Sequence, residues 1–90
     1  MTWTVLWSPH ALRSAKKVPR PVLIRIRDDL LALAKEPDPR TFLKKIKGQE
    51  CGTVYSHRVG EYRVILDIGH DYLVILVIEV GHRRHVYRNV

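Results

Sequence analysis

The sequence contains a single cysteine, Cys51, among 90 residues. An intramolecular disulfide is therefore impossible, and a metal centre built on cysteines is excluded. This usage fits a reducing compartment. Long apolar runs are missing as well. The longest, Leu73 to Ile78, is far too short to cross a bilayer. The N-terminus has neither the charged region nor the apolar stretch of a signal peptide. These absences predict a soluble cytoplasmic protein with no membrane association. Acidic residues are scarce, with Asp+Glu 9 against Lys+Arg 16 and a formal net charge of +7. Such an excess calls for a polyanionic partner, an acidic protein partner, or both. The few carboxylates are scattered, so no metal site and no cofactor are expected. Repeats, low-complexity tracts and linkers are also absent. Residues 1–90 are read as one domain with one core.

What is present is patterned apolar sequence. Hydrophobic residues make up 46% of the chain, which is ordinary for a globular protein. Thr2 to Trp7, rich in β-branched and aromatic residues, predicts a strand. Ser8-Pro9 predicts a helix start, with Ser8 as cap and Pro9 at the first helical position. Ala11, Leu12, Ala15 and Val18 form a narrow apolar stripe on that short helix. Pro19 and Pro21 interrupt it. A second helix is predicted from about Arg20 to Glu36, where Leu23, Ile26, Leu30 and Leu33 alternate steps of three and four. Pro37 and Pro39 end it. Phe42, Leu43 and Ile46 are expected to tuck a short turn or helix under the core. A meander follows: Thr53 to Val59, the tight turn Gly60-Glu61, Tyr62 to Ile68, a turn around Gly69 to Asp71, and Tyr72 to Val80 ending at Gly81. Val86 to Val90 reads as a further short strand or a docked tail. The last two long strands are apolar on both faces near their middles and should be central. The expected fold is α+β in the order β-α-α-β-β-β. A two-helix hairpin packs on one face of a small, largely antiparallel sheet, and the other face stays partly open.

The chemistry lies in the cations of the C-terminal half. By strand parity Arg63 shares a face with Ile65 and Asp67, and Tyr62 with Val64 and Leu66. Arg58 and Arg63 flank the tight turn, so their guanidinium groups can approach each other. Arg83 and Arg84 follow the neighbouring strand. Gly81 to Val90 holds Arg83, Arg84, Arg88, His82, His85 and Tyr87, and no carboxylate. Arginine forks bind phosphate oxygens in pairs. RNA strand cleavage builds negative charge on a pentacoordinate phosphorus, which fixed cations stabilise. The RNA's own 2′-hydroxyl can be the attacking group, so neither a protein nucleophile nor a metal is required. Arginine moves protons poorly. Tyr87, His82 and His85 are the acid–base candidates. Lys44, Lys45 and Lys47 form a second basic run that reads first as a solvated face, with added non-specific attraction for phosphate. No role is assigned to His10, His57 or His70.

The stretch Arg58-Val59-Gly60-Glu61-Tyr62-Arg63-Val64-Ile65 resembles the hairpin of the RelE/ParE toxin superfamily. The ending Val80-Gly81-His82-Arg83-Arg84-His85-Val86-Tyr87-Arg88 resembles that of its RelE-like branch. Ser8-Pro9-His10-Ala11 and Leu43-Lys44-Lys45-Ile46-Lys47-Gly48 are similar to further family segments, in the same order along nearly the whole chain. The resemblance implies the toxin of a type II toxin–antitoxin pair: an mRNA interferase that cleaves mRNA on the ribosome and arrests translation. It implies a small, acidic, partly helical RelB-like antitoxin as partner, besides ribosome and mRNA. Carried over by motif, the catalytic residues are Arg58, Arg63, Arg83 and Tyr87. Lys44, Lys45, Lys47, Arg84 and Arg88 are RNA-binding candidates. The chain departs from the pattern at Ser56, where many relatives carry Lys or Arg, and at His85, where Asp is usual. The spacing from Arg83 to Tyr87 is also shorter than in the best-studied branch. Two other readings share the fold: a ParE-like toxin that inhibits DNA gyrase, and a catalytically weak module that only binds antitoxin or nucleic acid.

Overall fold

The computed structural model describes residues 2–46, 54–69 and 73–82. Strand β1 (Thr4–Trp7) leads into helix α1 (Pro9–Ala15), helix α2 (Arg20–Ala34) and a 3₁₀ turn over Pro39–Phe42. The strands β2 (Lys44–Lys45), β3 (Val54–Val59), β4 (Tyr62–Ile68) and β5 (Val74–His82) complete one five-stranded sheet in the order β1-β5-β4-β3-β2. Only β1 runs parallel to its neighbour, β5, and the other pairings are antiparallel. The α+β class, the helix pair and the central position of β4 and β5 agree with the sequence pattern.

The helices cover one face. Ile26, Leu30 and Leu33 of α2 meet Tyr55, Val59, Val64, Leu66, Ile68, Ile75 and Val77 in a single buried cluster. The periodicity of α2 is thus the core-facing stripe of an amphipathic helix. Helix α1 has a different job. Beyond Trp7 the edge of β5 would lose its backbone partner, and two serine hydroxyls take over. Ser8 Oγ accepts from Ala11 N as the N-cap and donates to Ile78 O (3.2 Å). Ser14 Oγ accepts from Val80 N (3.1 Å). Because α1 lies along this edge, only Ala11 and Val18 of its expected stripe are buried, and Leu12 is 55% exposed.

Three other expectations are corrected. Phe42 does not tuck under the core. It is 61% exposed at the end of the 3₁₀ turn, where Asp38 and Arg40 close the turn on each other. Only Leu43 of that segment packs partly on the core. The residues after it form the extra edge strand β2. Strand β5 passes through Gly81 to His82, and it carries one extra residue, Ile78, between the pairs Leu66↔Val77 and Ile65↔Glu79. That bulge bends the strand where α1 replaces β1. The turn around Gly69 to Asp71 and the segment Val86 to Val90 fall wholly or partly outside the described residues.

Candidate functional site

The face away from the helices is built by the β3–β4 hairpin. Its turn is Gly60-Glu61, with Gly60 at φ 59° and no other described residue at positive φ. Glycine at the first central position is the signature of a type II′ turn, whose twist matches the strands it joins. The turn fixes the register Val59↔Tyr62 and Arg58↔Arg63. Directly opposed residues share a face. Tyr55, His57 and Val59 look toward the helices, so Ser56 and Arg58 look away, together with Arg63, Ile65 and Asp67 of β4.

Two arginines therefore stand side by side at the hairpin end of this face. Arginine forks on two adjacent strands can bind the oxygens of one phosphate from two sides. Arg58 is exposed, and its Nε donates to Gly60 O at 3.0 Å, which anchors the guanidinium beside the turn. Arg63 is half-buried. On its other flank Arg63 pairs with Gly81, which has no side chain to crowd it. Glu61 sits exposed at the hairpin tip, next to these cations. Behind the arginines, Ser56 (3% exposed) and Ile65 (2% exposed) are buried even on this face.

His82 does not join the arginines. It pairs with Tyr62 on the helix-side face, where the two rings meet edge to face at 5.6 Å. There it borders a groove of about 860 Å³ with His10, Arg13, Lys17 and Glu79. Lys44 and Lys45 are both exposed on β2, paired with Ser56 and Tyr55 respectively. Lys47, Arg83, Arg84, His85, Tyr87 and Arg88 lie outside the described residues.

Two contacts went unforeseen in the sequence. His57 Nε2 lies 3.0 Å from Asp29 Oδ2 and ties β3 to α2. His10 Nε2 lies 3.3 Å from Glu79 Oε1 and ties α1 to β5. Each joins residues far apart in the chain, and no local pattern announces either.

The family model for the ParE toxin of type II toxin–antitoxin systems matches residues 5–87. Among solved structures, the chain is similar to the RelB–RelE antitoxin–toxin complex of Methanococcus jannaschii. Identity there is 27%, with 93% of this chain and 96% of that chain covered and a TM-score of 0.74. The RelE–RelB complex of Pyrococcus horikoshii gives 26% identity, 96% and 100% coverage and a TM-score of 0.72. The RelBE2 toxin–antitoxin complex of Mycobacterium tuberculosis shares the fold at 24% identity, with 92% and 93% coverage and a TM-score of 0.77. Curated protein sequences contain no significant match.

Proposed function

Because this chain belongs to the ParE toxin family of type II toxin–antitoxin systems, with a RelE-like fold, we propose that it is a ribosome-dependent mRNA endonuclease. The observation that carries this reading is the direct pairing of Arg58 with Arg63 on the face away from the helices. Arginines at directly opposed positions can bring two planar guanidinium groups to the equatorial oxygens of a phosphate under attack.

The chemistry is a transesterification. The 2′-hydroxyl of the RNA gives up its proton and its oxygen attacks the adjacent phosphorus. The bond from phosphorus to the 5′-oxygen breaks, and that oxygen takes up a proton. The products are a 2′,3′-cyclic phosphate and a 5′-hydroxyl end. Arg58 and Arg63 stabilise the added negative charge, and Arg83 is assigned to the same task. Tyr87 is assigned the proton transfer. No metal has a role in this scheme. The partner that restrains the activity is an acidic, RelB-like antitoxin, in keeping with the net charge of +7 and with the RelE–RelB complexes to which the chain is similar.

The test is in vitro translation of a reporter mRNA with the purified protein, with cleavage mapped by primer extension. Discrete cuts within the translated frame are expected, and their absence on intact ribosomes would refute the reading. The matching family is described as that of the ParE toxin, which keeps a ParE-like toxin that inhibits DNA gyrase as the second reading. A supercoiling assay separates the two: gyrase inhibition without RNA cleavage would establish the second in place of the first.

A further inference from the structure

The basic run after Phe42 is split by the sheet. Lys44 pairs with Ser56 and Lys45 with Tyr55, so the two lysines lie on opposite faces. Lys44 shares the face of Arg58 and Arg63. Lys45 lies on the helix-side face, opposite Tyr55. Lys45 is therefore separated from the arginine pair by the sheet.

The face away from the helices carries its charges in rows. The first row is Arg58, Arg63 and Gly81. The second is Lys44, Ser56 and Ile65. Its register partner on β5 is Glu79, whose carboxylate lies beside His10 of α1. The third row is Val54, Asp67 and Leu76. Rows are two residues apart, roughly 7 Å along the strand, and neighbouring strands are about 4.8 Å apart. The backbone positions of Lys44 and Arg58 are therefore roughly 8 Å apart on the diagonal. A strand of RNA running straight down β4 from the arginines would meet Asp67. One slanting over β3 toward the sheet edge would meet Lys44.

We infer that Lys44 binds the phosphate next to the one held by Arg58 and Arg63, and so directs single-stranded RNA across β3 and off the β2 edge. This rests on the reading of the Arg58–Arg63 face as the RNA face. Lysines on a short edge strand also discourage edge-to-edge association. That bland role gives Lys44 and Lys45 equal weight, whereas the phosphate contact does not.

The experiment measures binding of a short fluorescein-labelled single-stranded RNA to the full chain by anisotropy over a salt series. Lys44→Gln is expected to reduce the salt slope by about 0.7, the value for one lost single-strand phosphate contact. Lys45→Gln is expected to leave the slope unchanged. Equal effects of the two substitutions, no effect of either, or no measurable binding by the unaltered chain would each overturn the inference. Circular dichroism melts of both variants exclude misfolding, which an exposed edge position makes remote from the outcome. Primer extension on ribosome-bound mRNA is run alongside. If Lys44→Gln alone loses a contact while the unaltered chain cuts nothing, the Lys44 contact stands and the nuclease reading falls. If the chain cuts mRNA and the two slopes agree, the nuclease reading stands and the Lys44 contact falls.

Discussion

Arg58 and Arg63 gain their significance from a register set by one turn. The Arg58 contact to Gly60 O holds its guanidinium beside the turn. If both stabilise a phosphorane, Arg63→Ala lowers the single-turnover cleavage rate by about 10²–10³-fold, the usual cost of one transition-state donor. Quench-flow on ribosome-bound mRNA reads this, and a rate within a few-fold of the unaltered protein would remove Arg63 from the chemistry. The pairing of the arginines was legible in the sequence, because Gly60-Glu61 marks the turn and counting outward from it pairs Arg58 with Arg63. The side on which His82 falls was not. Strand β5 is apolar on both faces near its middle, and the extra residue Ile78 shifts its parity. Ser56 stands where the resemblance to the superfamily leads to the expectation of a cation. Lys44, paired with it across the sheet, offers a cation in the same row.

At the scale of elements, the hairpin is the part on which the site depends. Gly60 has open space where a Cβ would go, so an added methyl meets no neighbour and the cost is backbone strain at positive φ alone. Gly60→Ala is therefore expected to lower stability by about 1 kcal/mol. Urea denaturation gives that figure, and cleavage should weaken with it as the arginine pair loses definition. An unchanged midpoint would show that the turn is not strained by alanine. Helix α2 was legible because its stripe faces one side only. Leu30→Ala removes a side chain that is 1% exposed at the centre of that stripe. The expected loss is about 2–5 kcal/mol, and a loss below 1 kcal/mol would place the core elsewhere. Strand β2 was not legible. Two residues carry no alternation to read, and their pairing with β3 is a tertiary event. Helix α1 was legible only in part, with Ala11 and Val18 in the core as its stripe implies. The helix also closes the edge of β5 with Ser8 and Ser14, and Leu12 is left outside.

Among the described residues the helices cover one face of the sheet, and the paired arginines stand on the other. No helix among the described residues is long and apolar enough to cross a membrane. With a formal net charge of +7, association with RNA and with an acidic antitoxin should both be strongly salt-dependent. Co-expression with the product of an adjacent short acidic reading frame is expected to yield a stable complex that no longer cuts mRNA, and size-exclusion chromatography with a cleavage assay checks both parts. A complex that cuts as fast as the toxin alone would contradict the proposed restraint. The most direct test of the central claim uses a reporter mRNA stalled on the ribosome, with a single 2′-deoxy nucleotide at the mapped cleavage position. The account predicts that the protein cuts the all-ribose message, leaving a 5′-hydroxyl end, and spares the 2′-deoxy message. Equal cutting of the two messages would contradict it, as would no cutting of either.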